Sequence, residues 1–212
     1  CSSGRSGGLR GQQLSVELLE ASPPHRHWAE LQPQLQAASW PEPLKNKVLE
    51  VFQLLAEAEA QVHGVPAEQV HFHEVGAIDS LVDVIGVCAG LLHLGVHTLW
   101  ASPPPAGHGQ INSAHGRLPL PAPAVLEIAK RCAIPLASSA GFPAAELSTP
   151  TGLALLAVWV GHWGPPPAHT PEGVGVGLGQ RQLDRPNLLR HCLPAAAVSA
   201  GDEPAERQMV VV

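Results

Sequence analysis

Residues 70–83, VHFHEVGAIDSLVD, place two histidines, a glutamate and two aspartates together in a chain of which only 14% is charged. If 70–75 is a strand, its side chains alternate faces, so His71 and His73 point one way and Phe72 the other. Two imidazoles two residues apart on one strand face can share a metal ion. Glu74 falls at the strand end, where its carboxylate can rejoin them. A helix over 79–94 puts Asp79 and Asp83 on one face, four residues apart, and Gly86 and Gly90 continue it. Imidazole suits zinc, copper, iron and nickel, while carboxylates add harder oxygen ligands. The pattern reads as a metal or polar-ligand site beside a bare glycine stripe that a backbone or a flat ligand can approach. The structural alternative is a pair of ordinary strand histidines with Asp79 as a helix cap.

Two further stretches carry usable chemistry. GHGQINSAHGRLPLPAP, residues 107–123, brackets a Gly/Pro-rich loop with His108 and His115, and Arg117 is close enough to meet a phosphate or carboxylate. A loop that follows a parallel strand lies at its carboxyl end, where α/β proteins bind ligands. In ELSTPTG, residues 146–152, Ser148, Thr149 and Thr151 gather at a helix start whose N–H groups and dipole favour an anion. Capping alone accounts for one or two of those hydroxyls. The run GVGVGLG is neither GxGxxG nor a P-loop and reads as a strand with one bare face. His25, His27, His162, His169 and His191 read as structural or exposed. Neither a serine nor a cysteine nucleophile signature is present.

These residues need elements to hold them. SWPE, residues 39–42, reads as a helix start, with Ser39 as cap, Pro41 in the first turn and Glu42 reaching back. Leu44, Val48, Val51, Phe52, Leu55 and Val62 then recur at helical spacing until Gly64 ends the run. A strand over 70–75, a helix over 79–94 and a strand over 98–102 suggest a right-handed crossover with a parallel pair. Downstream, Pro123 opens a helix to about 131, residues 134–137 read as a short strand, and Pro150 opens a helix through 160. Residues 187–193 read as a last strand. The alternation implies an α/β fold with an at least partly parallel sheet and flexible N-terminal and C-terminal segments. Residues 1–24 read as loose, apart from a short helix over 14–21. The alanine-rich, then acidic stretch 195–208 reads as a linker, and MVVV as the first strand of a further domain.

A net charge of -6 without any lysine/arginine block argues against nucleic acid as a partner. No apolar run is long enough to span a bilayer. The four cysteines are scattered and form no CxxC pair, which fits a reducing cytoplasm.

Taken together, VHFHEVGAIDSLVDVIG, ASPPPAGHGQINSAHGRLPLPAPAVLEI, ELSTPTGLALL and RPNLLR resemble, in order, the segments of the LarC nickel-insertion family. The resemblance covers residues 24–193. It implies insertion of nickel(II) into pyridinium-3,5-bisthiocarboxylic acid mononucleotide, forming the carbon–nickel bond of the nickel-pincer nucleotide used by lactate racemase-type enzymes. In the family the reaction depends on CTP with Mg or Mn. The family's DCxxGISGDM-like start is absent, and MVVV stands where its carboxyl-terminal CTP-binding domain would begin. On this basis 1–24 is expected to be the remnant of a truncated domain, 25–194 the nickel-insertion domain and 195–212 a linker with the first strand of the next. His71, His73, Glu74, Asp79, His108 and His115 are the candidate metal ligands. Asp83, Arg117, Ser148, Thr149 and Thr151 are the candidate substrate contacts. A homo-oligomer with an apo lactate racemase-type acceptor is the expected setting. The rival functions are a nickel storage or delivery protein without chemistry, and a metal-dependent hydrolase with Glu74 as base.

Overall fold

The structure, a computed structural model, describes residues 1–17, 26–72, 78–113, 116–195 and 207–211. In chain order the strands β1 (Ser2–Ser6), β2 (Leu9–Gln13) and β3 (Arg26–His27) lead into helices α1 (Trp28–Ala37) and α2 (Glu42–His63). Next come β4 (His71–Phe72), α3 (Ile78–His93), β5 (Val96–Ala101), and the hairpin β6 (Gln110–Ser113) and β7 (Gly116–Pro119). Helices α4 (Pro123–Arg131) and α5 (Pro150–Trp159) precede β8 (Val160–Trp163), β9 (Pro171–Leu178), β10 (Leu188–Pro194) and β11 (Arg207–Val211). The fold is α/β with parallel pairs in a mixed sheet, as expected. Two compact units share the chain, one made of 1–17, 93–102 and 159–212, the other of 18–92 and 103–158.

The first unit is a seven-stranded sheet in the order β1-β2-β9-β10-β11-β5-β8. β2 with β9, β11 with β5 and β5 with β8 are parallel, and the remaining pairs are antiparallel. Its apolar interior holds Val96, Leu99, Ala101, Met209, Val210 and Val211. Of MVVV, expected to start a further domain, residues 209–211 belong to β11, an inner strand between β5 and β10. The N-terminal stretch expected to be loose contains the β1–β2 hairpin, which turns on Gly7 and Gly8 at φ 53 and 83. Of the short helix expected over 14–21, residues 14–17 are not helical and the rest lies outside the described residues.

The second unit is built on α2. Val48, Val51, Phe52 and Leu55 are fully buried on one face, and Gly64 closes the helix in the left-handed conformation at φ 65. Two details differ from expectation. Pro41 rather than Ser39 occupies the cap position with no side-chain bond, and Glu42 pairs forward with Lys45 at 2.8 Å. Val62 is exposed, because the stripe rotates off the packed face in the last turn. Trp28 of α1 and Phe72 of β4 close on Phe52 in a triangle with ring centroids 6.3–6.5 Å apart. The buried indole N–H of Trp28 donates to Gln53 at 3.1 Å, so the ring carries no unpaired donor inward. α4 packs on α2 through Val125 and Ile128, tied at the rim by Arg131 and Glu57.

Among the described residues the crossover expected between 70 and 102 does not form a parallel pair, and residues 73–75 of its expected first strand lie outside them. β4 pairs antiparallel with β3 in a two-stranded ribbon, while β5 joins the seven-stranded sheet. Residues 134–137 are not a strand either, and only Ala137 bridges to Pro105.

Candidate functional site

β4 contributes the first candidate ligand. Its pairing sets His27 opposite His71 and Arg26 opposite Phe72. Opposed residues of an antiparallel pair share a face, and Phe72 is buried while His71 is exposed. The imidazoles of His27 and His71 stand together on the outer face, with centroids 3.4 Å apart and planes tilted by 50°. His73, Glu74 and His115 lie outside the described residues.

Helix α3 holds Asp79 and Asp83 one turn apart, both exposed. Asp79 Oδ1 accepts the backbone N–H of Ser80 at 2.8 Å, which ties the carboxylate to its own helix start. Although the residue is exposed, partial desolvation of its carboxylate, and then the charge of Asp79, raise the pKa of Asp83 above the usual carboxylate value. A nearby cation would relieve that cost. Gly86 and Gly90 continue the face with open space where a Cβ would stand.

The third region joins two stretches that the sequence presents separately. Ser148 Oγ donates to the carbonyl of Pro105 at 2.7 Å, and His108 N–H donates to the carbonyl of Ala145 at 3.3 Å. Gly107 N–H donates to Ser139 Oγ at 2.6 Å in the buried seam. The histidine loop and the start of α5 are thereby one structure. Thr149 Oγ1 caps α5 by accepting Gly152 N–H at 3.1 Å, while Thr151 sits half-buried in the first turn. Two of the three candidate hydroxyls therefore already serve local structure. Beside the seam a cleft of ≈ 320 Å³ is lined by His108, Ser139, Gly141 and Phe142, among others. That volume lies at the small end of ligand pockets. Arg117 is exposed on β7 opposite Asn112.

Among the described residues, no three or more His, Cys, Asp or Glu side chains gather as a ready metal site. His27, read from the sequence as structural or exposed, is the residue that the pairing of β3 with β4 brings beside His71.

Comparison with known proteins decides which chemistry to weigh. The profile of the family described as "Nickel insertion protein" matches residues 1–212. The chain belongs to the nickel insertion protein family. A relative from Citrifermentans bemidjiense, named for nickel insertion, is 45% identical over 92% of this chain and 50% of its own length. Pyridinium-3,5-bisthiocarboxylic acid mononucleotide nickel insertion proteins of Staphylococcus epidermidis and Desulfitobacterium hafniense are 42% and 43% identical. Each match covers 86% of this chain, and 45% and 44% of the relatives. The chain thus spans about half the length of the curated relatives it matches. No solved structure matches it. In this chain the imidazole pair and the loop–helix seam bring together side chains of the types that metals and polar ligands use.

Proposed function

We propose that this chain contributes to inserting nickel(II) into pyridinium-3,5-bisthiocarboxylic acid mononucleotide, the nickel-pincer precursor. The observation that carries the reading is an imidazole pair, a preferred donor for nickel, on the exposed face of a ribbon in a chain of the nickel insertion family. Nickel is cargo here, and insertion exchanges the ring C–H bond for a carbon–nickel bond with release of the proton. We assign His71, His73, Glu74, Asp79, His108 and His115 as candidate nickel ligands. Asp83, Arg117, Ser148, Thr149 and Thr151 are the candidate nucleotide contacts. Arg117 and the start of α5 suit the phosphate, and the cleft beside His108 and Phe142 suits the flat ring.

The proposal extends to CTP with Mg or Mn as the energy source, bound by a part of the relatives that this chain does not match. It includes a lyase-class reaction in the cytoplasm, a homo-oligomeric assembly and an apo lactate racemase-type acceptor for the product. Among the described residues, no helix is long and apolar enough to cross a membrane. The test incubates a full-length relative carrying this chain in place of its matching half with nickel(II), the bisthiocarboxylate nucleotide and CTP, and follows the nickel adduct by mass spectrometry. A metallated product is expected. Tight nickel binding with no adduct would replace insertion by storage or delivery, and turnover of simple phosphoesters would point to a hydrolase.

A further inference from the structure

We propose that His27 is a nickel ligand, acting with His71 as a cross-strand imidazole clamp. The inference rests on the nickel-handling reading above and adds a ligand from an element outside the HFHE segment. Its basis is register. β3 and β4 pair with His27 opposite His71, and Trp28 N–H donates to the carbonyl of Val70 at 3.2 Å, extending the ribbon by one residue. Trp28, the first residue of α1, and Phe72 of β4 each directly follow one of the histidines and are buried against Phe52. Those two anchors fix the backbone of both strands on α2 and turn the intervening histidines to the opposite, outer side.

The rings then stand with centroids 3.4 Å apart. Two cis nitrogens bound to one ion at about 2.1 Å lie roughly 3 Å from each other. Small rotations about the histidine side-chain bonds therefore bring one nitrogen from each ring onto a common ion, with no movement of the anchored backbone. Two ligands held on a packed base are pre-positioned, and two imidazoles alone leave further coordination positions for other donors. An ion that must be handed on is better served by such a partial site than by a closed four-ligand cage of the structural type. The sulfur donors of an acceptor can enter the open positions before the imidazoles leave.

The test uses the 212-residue chain and nickel(II) alone. Calorimetric titration of His27→Ala is expected to show nickel binding weakened roughly tenfold or more, as for His71→Ala. The double variant should lose less than the product of the two single losses, because both act on one ion. His27→Cys should produce a thiolate-to-nickel charge-transfer band that the wild type lacks. A folded His27→Ala with wild-type affinity and a His27→Cys without the band, beside a His71→Ala that still loses nickel, would overturn the clamp and leave the nickel reading standing. Unchanged affinity in both alanine variants would remove nickel from the ribbon altogether. Circular dichroism and melting of each variant separate ligand loss from unfolding, and His27→Cys decides the matter if His27→Ala does not fold.

Discussion

On one short strand His71 is exposed and Phe72 buried, and the division follows from side-chain alternation. Replacing both His71 and His73 with alanine should weaken nickel binding at least tenfold, about 1.4 kcal/mol, while Phe72 keeps the ribbon seated. Titration of the folded double variant checks this, and unchanged affinity would take the pair out of the site. The HFH pattern was legible because a period of two is a local property. His27 was not, because what makes it a partner is a pairing with a residue 44 positions away, set by the register of β3 on β4. A second residue-scale prediction concerns His191 on β10, whose pKa burial pushes below the ordinary 6.5. The unfolded chain takes up a proton there at about 6.5 while the folded chain resists it. Its contribution is thus fully present above about 6.5 and is lost as pH falls from there toward the lowered folded value. Melting temperatures of His191→Leu should decline less than wild type between about pH 7.5 and 5. Equal slopes would show that this group does not drive the acid sensitivity.

Elements stood out in the sequence where they carried their own punctuation. α4 and α5 open on Pro123 and Pro150, α2 ends at Gly64, and all three lie close to their expected bounds. α1 escaped notice because Pro33 sits inside it and no side chain caps it, although Trp28, Leu31 and Leu35 form its buried face. The β1–β2 hairpin escaped because SSGRS and LRGQQ show no apolar alternation, yet the Gly7-Gly8 pair is a hairpin signal. At α5, Thr149→Ala should cost about 1 kcal/mol through loss of the cap to Gly152, read by urea denaturation. Gly107→Ala should cost more, about 1–3 kcal/mol. Its φ is +80°, and a Cβ there would stand 2.7 Å from the Ala145 carbonyl and 3.0 Å from Leu147 N. A Gly107→Ala variant as stable as wild type would mean that the seam beside the cleft can reopen.

At the scale of the molecule, the class of fold was legible and the order of its sheet was not. Alternating strands and helices announce an α/β chain, but nothing local in MVVV tells that β11 runs parallel to β5 on one side and antiparallel to β10 on the other. The division of the chain at 24 and 194 remains our proposal, beside the two compact units of the structure. Val210 is 4% exposed in that inner strand. Val210→Asp should destabilise the sheet by roughly 3 kcal/mol or more, the cost of an unpaired buried carboxylate. Hydrogen exchange should show lost protection at the amides of β5 and β10, and retained protection there would mean that β11 is dispensable to its neighbours.

The position of β11 also governs when this sheet can be completed during synthesis. Roughly a hundred residues separate β5 from the strand that flanks it, so at about 5–20 residues per second a growing chain takes about 5–20 s to supply the missing neighbour. Throughout that interval one edge of β5, with Val96 and Leu99, is offered to whatever is nearby. The nascent polypeptide therefore passes through a window of adhesiveness on the ribosome. Cellular yield should depend on how well chaperones or a slowed translation rate cover that window.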